Sequence, residues 1–355
     1  MSHQECQDSP QKLDERVSNL PSESEIIGHW KGNIDQPVVS ICCATFNHES
    51  YVEDALKGFL MQETEFPFEI LIHDDASTDK TASLIQKYER LYPKLIKAMY
   101  QVENKYSKGI KINPAFNFPR ARGNYIAMCE GDDYWVSQHK LQKQCSAIKA
   151  YAVSVVFHPA IEDDLHSGIN KTVCNHRQGN GYIPLIDSVK GRGGFMPTAS
   201  LFFSASIIKD KLGWFDSSMP LGDFFLQMIL SYHGEIYYLD EPMCVYRRNA
   251  PGSWTENQRR EGQVNKYACA MLPAIIKLHS RLGAVRYKHY LAYPFFVYSK
   301  ACHLKKSNIT SALFRMFNSI PKKQDFLVFT LVYYKLLFLL PFSFLAQKLS
   351  LRRNR

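Results

Sequence analysis

Nearly unbroken apolar runs alternate with stretches of helical periodicity in the first part of the chain. Runs of this kind are typical of strands buried on both faces of a parallel sheet. They lie at 38–44, 68–72, 96–100 and 125–129. The intervening stretches place apolar residues three or four positions apart, first at Val52, Ala55, Leu56, Phe59 and Leu60. The alternation predicts an α/β fold with a doubly wound, mostly parallel sheet.

Two predicted helices begin at sequences with a recognisable signature. Ser50 and Glu53 have the spacing of a capping box, in which each side chain bonds the other residue's backbone N–H. Asp223 opens a helix predicted over 223–232, amid Phe, Leu and Met. Partial burial would raise the pKa of Asp223 toward the range of a general base, and an N-cap role is the alternative.

The pattern divides the chain into three regions. Residues 1–36 are polar and lack an apolar run, so we expect a flexible leader. An α/β domain follows over 37–257, and beyond it, over 258–355, the pattern is mostly helical. Within the domain, 37–135 forms a first half and 136–257 a second, in which short strands are predicted at 153–158, 199–204 and 235–239.

Composition narrows the class of protein without naming an activity. The 355 residues are 45% hydrophobic, which excludes a disordered chain, and the net charge of +9 suits an anionic substrate or an anionic membrane surface. Nine cysteines occur without a CxxC pair, so neither a zinc site nor a disulfide framework is indicated. We expect a reducing, cytoplasmic setting and no nucleic-acid partner.

The C-terminal region contains a strongly apolar segment at 326–345. Lys335 and Pro341 interrupt it, and basic residues follow at 348–355. An in-plane or re-entrant helix pair on the inner face of the cytoplasmic membrane fits this pattern better than a simple span. The alternative is a buried helical hairpin.

Polar clusters follow three of the predicted buried strands. They are Phe46-Asn47, Asp74-Asp75 and the run from Glu130 through Asp132 to Asp133. In an open parallel sheet the carboxyl ends of the strands meet at one edge, where ligands bind. Crowded carboxylates need a counter-ion, and Mg²⁺ or Mn²⁺ is suited to their hard oxygen atoms. The sequence therefore predicts a divalent metal at this edge.

Glycine-rich phosphate loops are missing from the sequence. Neither G-x-x-x-x-G-K-[ST] nor G-x-G-x-x-G occurs, and the residues after the first strand, 44–48, are not glycine-rich. A sugar-phosphate nucleotidyltransferase, which shares the fold class and the need for metal, is disfavoured for this reason.

The strand 38–47, the run Asp-Asp-Ala-Ser-Thr-Asp at 74–79 and Glu-Gly-Asp-Asp-Tyr-Trp at 130–135 together resemble the family 2 glycosyltransferases of the GT-A fold. The resemblance covers roughly 37–255. It implies a site whose residues fall into four groups. They are the nucleotide-binding residues Ala44, Phe46, Asp74 and Asp75, the metal-binding residues Glu130, Asp132 and Asp133, the catalytic base Asp223, and a diphosphate-binding loop with Arg247, Arg248 and Asn249.

The resemblance also implies the reaction and the partners. It indicates an inverting transfer from a nucleotide-diphosphate sugar, with UDP favoured, to a hydroxyl of a glycan or lipid-linked acceptor in surface-polysaccharide synthesis. The glycine-rich segment 191–198 is predicted to be a flexible loop that lines the acceptor site or lies on the surface. A non-catalytic nucleotide-sugar or membrane-binding protein is the alternative from another class, and it would not need a carboxylate at Asp223.

Overall fold

A computed structural model of the chain describes residues 20–220, 222–251, 263–285 and 287–301. The apolar segment 326–345 and the basic residues after it lie outside these ranges. Within the ranges, no helix has both the length and the apolarity that a membrane crossing requires.

Twelve strands form two sheets in the described residues. In chain order they are β1 Val39–Thr45, β2 Phe68–Asp74, β3 Ile96–Tyr100, β4 Tyr125–Met128, β5 Tyr134–Trp135, β6 Val155–Phe157, β7 Ala160–Asp164, β8 Ile169–Val173, β9 Gly181–Ile183, β10 Phe202–Ser204, β11 Ile236–Tyr238 and β12 Cys244–Arg248. The main sheet has the order β3-β2-β1-β4-β10-β6-β11-β9, and the smaller sheet has the order β5-β12-β7-β8.

Helices cover both faces of the main sheet. In chain order they are α1 Glu23–Gly28, α2 Val52–Leu60, α3 Thr81–Leu91, α4 Phe118–Arg120, α5 Lys140–Tyr151, α6 Leu185–Gly191, α7 Ala205–Lys209, α8 Gly222–Tyr232, α9 Gln263–Arg281 and α10 Ala292–Ala301. A π-helical turn, Asn113–Asn117, leads directly into α4. The predicted α/β fold with a doubly wound, mostly parallel sheet is confirmed.

The central strands are buried on both faces, as their apolar runs predict. Along β1, Cys42 faces one hydrophobic cluster, whereas Ile41 and Cys43 face the other. This division follows from the period of two of a strand, which directs successive side chains to opposite faces. Strands β10, β6 and β11 continue the sheet from β4. The two predicted halves therefore share one sheet and the two hydrophobic clusters on its faces.

Helices α9 and α10 belong to the same packed body as the sheet. Ala268, Met271, Ile275 and Leu278 recur three or four residues apart along α9 and are buried in the cluster that contains α8. Phe295 of α10 joins the same cluster. The described part of the predicted helical C-terminal region is therefore packed against the α/β domain by an apolar helical face.

The expectation of a flexible leader is wrong for residues 20–36. Helix α1 begins with a capping box between Ser22 and Glu25. Glu23 accepts a hydrogen bond from the backbone N–H of Lys94 at 2.6 Å, and Ile26 is buried in the core. The segment is held in place by Ile26, by the packing of Ile27 and Trp30 against the same cluster and by tertiary hydrogen bonds. None of these contacts produces a periodic pattern in the sequence. Residues 1–19 lie outside the described ranges.

The capping box predicted at Ser50 is also wrong. Helix α2 begins at Val52 with Tyr51 as its N-cap residue and without a side-chain cap. Glu53 instead accepts a hydrogen bond from the hydroxyl group of Tyr88 at 2.8 Å. The Glu53 side chain thus makes a tertiary contact with α3 in place of the capping-box hydrogen bond.

Gly58 provides a test of how α2 packs against β5. A Cβ atom at Gly58 would lie 2.9 Å from both the backbone N and the backbone O of Trp135. We expect Gly58→Ala to lower the free energy of unfolding in urea by about 1–3 kcal/mol, because the backbone of β5 cannot yield cheaply. Gly28→Ala is the matched control, since nothing lies within 4 Å of a Cβ there. An unchanged or higher stability of Gly58→Ala would contradict this packing.

Candidate active site

The order of the main sheet creates a crevice between β1 and β4. Strands β2 and β3 extend from one side of β1, and β4 pairs in parallel with its other side. Such a switch in direction leaves an opening at the carboxyl ends of the two strands. A cavity of about 260 Å³ lies there, lined among others by Ala44 at the end of β1 and Glu130 just after β4.

The cavity brings together five of the residues predicted from the sequence. They are Ala44, Glu130, Asp132, Asp223 and Arg247. These residues come from the two halves of the domain and from four separate elements, namely β1, the loop after β4, α8 and β12. Phe46, Asp74, Asp75, Asp133, Arg248 and Asn249 are not part of its lining.

Glu130, Asp132 and Asp133 form a tight cluster of oxygen atoms. One carboxylate oxygen from each lies within 4.8 Å of the others. Although Glu130 keeps contact with solvent, the protein atoms around its carboxyl group, followed by the charges of Asp132 and Asp223, raise its pKa to about 8. Carboxylates that are this costly to ionise together fit a divalent cation, which would remove the repulsion.

The three carboxylates do not have equivalent surroundings. Asp133 is buried, and its Oδ1 accepts the backbone N–H of Arg247 at 2.9 Å. Burial, and then the charges of Asp132 and Glu130, raise the pKa of Asp133 well above its ordinary value. Glu130 and Asp132 line the cavity, so these two are placed to reach a bound ion, while Asp133 joins the acidic loop to β12.

The Arg247 side chain is held within the protein beside the acidic loop. It forms an ion pair with Asp54 and donates a hydrogen bond to the backbone carbonyl of Asp132 at 3.1 Å. Its guanidinium carbon lies 4.3 Å from the ring centroid of Tyr134 and 5.1 Å from that of Tyr51. Stacking and pairing together fix this arginine. It therefore organises the acidic loop from the side of the second sheet.

Arg248 and Asn249 depart from the predicted diphosphate-binding loop. Because side chains alternate along β12, Arg248 is directed to the other face of the strand, where it meets Glu162 at 3.4 Å. Asn249 has a positive φ of 62° and donates from Nδ2 to Asp164 at 2.6 Å. The structure therefore does not bring either side chain into the cavity.

The Asp74-Asp75 pair shapes the loops next to the crevice. Both residues are buried. Asp74 accepts the backbone N–H of Ser77 at 3.2 Å and its hydroxyl group at 2.5 Å, and burial raises the pKa of Asp74 despite these bonds. Asp75 accepts the backbone N–H groups of Lys105 and Tyr106 at 2.8 and 2.9 Å. Asp75 thus fixes the loop after β3.

Phe46 is exposed at the end of β1, beside this pair. Its exposed fraction is 40%, unusually high for a phenylalanine that directly follows a buried strand. The next residue, Asn47, has a positive φ of 55° and accepts the backbone N–H of Thr78 at 2.8 Å. The turn after β1, which this hydrogen bond joins to the Asp74-Asp75 loop, therefore leaves the aromatic ring partly exposed.

Asp223 lies in the first turn of α8 and faces the same cavity as the acidic loop. Its Oδ1 accepts the backbone N–H of Phe224 at 2.7 Å. Burial raises the pKa of Asp223, and this hydrogen bond, other backbone hydrogen bonding and the charge of Lys111 only partly offset the rise. Because α8 begins at Gly222, Asp223 is inside the helix, and the alternative role of N-cap residue is not observed.

Lys111 is a cavity residue that the sequence analysis missed. It lies on the loop after β3, and its Nζ donates to the carbonyl oxygen of Pro220 at 3.3 Å and lies 5.4 Å from the ring centroid of Tyr106. Burial lowers its pKa, and the charge of Asp223 acts in the opposite sense. Its position after the carboxyl end of a third parallel strand is the signal that could have identified it.

Part of the chain matches a family of known proteins. Residues 40–206 match the family described as Glycosyl transferase family 2. An uncharacterized protein of Mycobacterium tuberculosis is 35% identical over 219 residues, which cover 61% of this chain and 60% of that protein. The match therefore spans about 60% of the length of this relative.

Two further proteins extend the comparison. The putative teichuronic acid biosynthesis glycosyltransferase TuaG of Bacillus subtilis is 34% identical over 116 residues, which cover 33% of this chain and 42% of TuaG. The crystal structure of residues 1–349 of TarS from S. aureus in complex with UDP-GlcNAc has a TM-score of 0.57 at 16% identity, covering 80% of this chain and 81% of that one. The structural likeness to TarS shows a shared GT-A fold.

Strands β2 to β4 and the acidic loop that follows β4 lie within the matched residues, whereas Asp223 and Arg247 of the cavity lie beyond them. Residues 40–206 thus match family 2 of the glycosyltransferases, and the domain that contains them has a GT-A fold.

Proposed function

We propose that the chain is an inverting, metal-dependent glycosyltransferase that moves a sugar from a UDP-sugar to an acceptor hydroxyl group. The observation that carries this proposal is the joint position of Asp223, Glu130 and Asp132 around one cavity. One carboxylate is suited to remove a proton and two are suited to hold a cation. Glycosyl transfer from a diphosphate requires these two tasks at neighbouring points.

The donor nucleotide is placed at the carboxyl ends of β1 and β2. Phe46 offers an exposed aromatic face on which a base can stack, and Ala44 leaves room at the floor of the crevice. Asp75 supports this part of the site through the loop that contains Tyr106, which lines the cavity. The ligand named for TarS, UDP-GlcNAc, supports UDP as the nucleotide.

The metal and the leaving group belong to the opposite wall of the crevice. Glu130 and Asp132 would hold Mn²⁺ or Mg²⁺, which stabilises a departing diphosphate as a Lewis acid. Arg248 and Asn249 do not reach the cavity, so we assign the cationic contact with the diphosphate to Lys111. Arg247 keeps its ion pair with Asp54 and orients the acidic loop.

The chemical step is a single displacement. Asp223 removes the proton from the acceptor hydroxyl group as the hydroxyl oxygen attacks the anomeric carbon. The bond between that carbon and the diphosphate oxygen breaks, and its electron pair leaves with the diphosphate. Attack from the face opposite the leaving group inverts the anomeric configuration.

The acceptor is proposed to be a glycan or a lipid-linked glycan in surface-polysaccharide synthesis. The name of TuaG supports this assignment through teichuronic acid. A peripheral position on the inner face of the cytoplasmic membrane would suit such an acceptor, with the net charge of +9 favouring anionic lipid.

Replacement of Asp223 tests the catalytic base. We expect Asp223→Asn to lower kcat by about 10²–10⁴-fold, because an amide cannot take the proton, while UDP binding is retained. Asp187→Asn is the matched control, since Asp187 is an exposed acidic residue in the first turn of another helix, α6. Full activity of Asp223→Asn, with UDP still bound, would remove the catalytic role and favour a nucleotide-sugar-binding protein.

The pH dependence of kcat follows from the same residue. Asp223 must be ionised to accept a proton, and burial raises its pKa above the ordinary aspartate value. Activity should therefore fall with decreasing pH at a higher pH than an exposed aspartate would dictate, and rise as the pH increases. Initial rates measured across the acid range check this. A rate that stays constant down to pH 4 would contradict it.

Calorimetry tests the donor site. We expect UDP to bind in the presence of Mn²⁺, and Asp132→Ala to weaken this binding by more than about tenfold, because a cavity-facing metal ligand is lost. Glu65→Ala removes an exposed carboxylate outside the cavity and serves as the control. Equal affinity of the wild type and Asp132→Ala for UDP would contradict the metal assignment.

A further inference from the structure

The segment 191–198 is fixed against α8 at the level of Asp223. Gln227 of α8 donates from Nε2 to the carbonyl oxygens of Gly193 and Met196 at 2.8 and 3.0 Å, and its Oε1 accepts the backbone N–H of Met196 at 3.2 Å. A Cβ atom at Gly193 would lie 3.5 Å from the Oδ2 atom of Asp223. The glycines predicted a flexible loop, but these bonds hold it in one position beside the proposed base.

Arg192 within this segment has a strained backbone. Its φ of 60° and ψ of −147° lie close to a region that glycine occupies almost exclusively. The flanking Gly191 has a φ of −71° and is needed for another reason, because a Cβ there would lie 2.2 Å from the ring of Phe195. Residue 192 therefore has a backbone conformation that glycine adopts without strain, yet it is an arginine.

The guanidinium group of Arg192 lies against α10, while the neighbouring residue Gly193 lies against the proposed base. The guanidinium carbon of Arg192 lies 5.9 Å from the ring centroid of Tyr298 in α10. Burial is the main cause that raises the pKa of Tyr298, and among nearby charges Asp223 adds to the rise while Arg192 opposes it. Both charges thus act on one phenol. The Nε–H of Arg192 is buried and finds no hydrogen-bond acceptor within the described part of the chain.

We propose that Arg192 binds a phosphate group carried by the acceptor, beside the hydroxyl group that Asp223 deprotonates. This inference rests on the proposed function. A guanidinium group matches phosphate through two parallel N–H donors. The strained backbone and the unsatisfied Nε–H both cost free energy, and glycine at 192 would remove both. The contact of Arg192 with the ring of Tyr298 offsets only part of this cost, so packing alone does not account for the arginine.

Arg192 would then determine which acceptors are used and how they are oriented. It acts on a part of the acceptor that does not react, so it is a specificity-determining residue. Phosphate can also come from the headgroup of a bulk membrane lipid. An acceptor phosphate and a lipid headgroup offer the same chemistry to Arg192. They differ in their position, because only the acceptor phosphate must lie in the same bound molecule as the hydroxyl group next to Asp223.

Calorimetry with the full chain, UDP and Mn²⁺ tests the proposal, using octyl phosphate and the uncharged octyl β-glucoside as probes. We expect Arg192→Gly to weaken octyl phosphate binding by about tenfold or more, because the paired donors are lost, and to leave octyl β-glucoside unchanged. The melting temperature should not fall, since glycine relieves the strain. Lys190→Ala, which removes an exposed cation two residues away, should leave the binding of both probes unchanged.

Equal affinity of the wild type and Arg192→Gly for octyl phosphate would overturn the inference, as would an equal loss in Lys190→Ala. Vesicles of phosphatidylglycerol separate the two sources of phosphate. Retained vesicle binding with weakened octyl phosphate binding supports an acceptor group, whereas loss of vesicle binding alone assigns Arg192 to the membrane and overturns it. Failure of the wild type to bind UDP would instead count against the proposed function, so the two failures are distinguishable.

Discussion

The carboxylates of Glu130, Asp132 and Asp133 lie close together where the neighbouring parallel strands β1 and β4 end. The contacts of the surrounding residues reduce the repulsion between them. Asp133 is the most buried of them. The backbone N–H of Arg247, at 2.9 Å, lowers the free-energy cost of burying the charged Asp133 carboxylate. Glu130 and Asp132 remain on the cavity side, where a cation can reach them. The protein thus supports one side of the cluster, and a divalent ion on the other side would remove the remaining repulsion.

The second sheet supplies the protein side of this arrangement. Strand β5 directly follows the acidic loop and pairs with β12, which carries Arg247. The ion pair of Arg247 with Asp54 then connects β12 to α2, and Trp135 of β5 packs its backbone against Gly58 of the same helix. The acidic loop is thus held between α2 and the small sheet, which limits how far its carboxylates can move apart.

The parts of the fold that the sequence predicted well are those set by local burial. The apolar runs of β1 to β4 identify strands buried on both faces, and these strands alone place Ala44 and Glu130 at one edge. The acidic loop directly follows one of these runs, whereas Asp223 is identified by the family resemblance together with its place at a helix start amid apolar residues.

The missed parts depend on contacts between distant residues. Strand β5 has only two residues, and its pairing with β12 leaves no periodic pattern in the sequence. The direction of Arg248 follows from the register of β12, which fixes the face of each side chain. The hydrogen bonds of Gln227 with the 191–198 segment likewise join residues more than 30 positions apart. Since these bonds leave no local pattern, the glycine content predicted flexibility.

We propose that the crevice between β1 and β4 binds a metal–nucleotide complex within reach of Asp223. A crystal structure of the chain with UDP and Mn²⁺, with anomalous data collected at the manganese absorption edge, tests this most directly. We expect a manganese peak within about 2.0–2.4 Å of carboxylate oxygens of Asp132 or Glu130, with the diphosphate on the same ion. We also expect the uracil ring against Phe46. An ion or nucleotide bound elsewhere, with this crevice empty, would show that the donor site lies outside it.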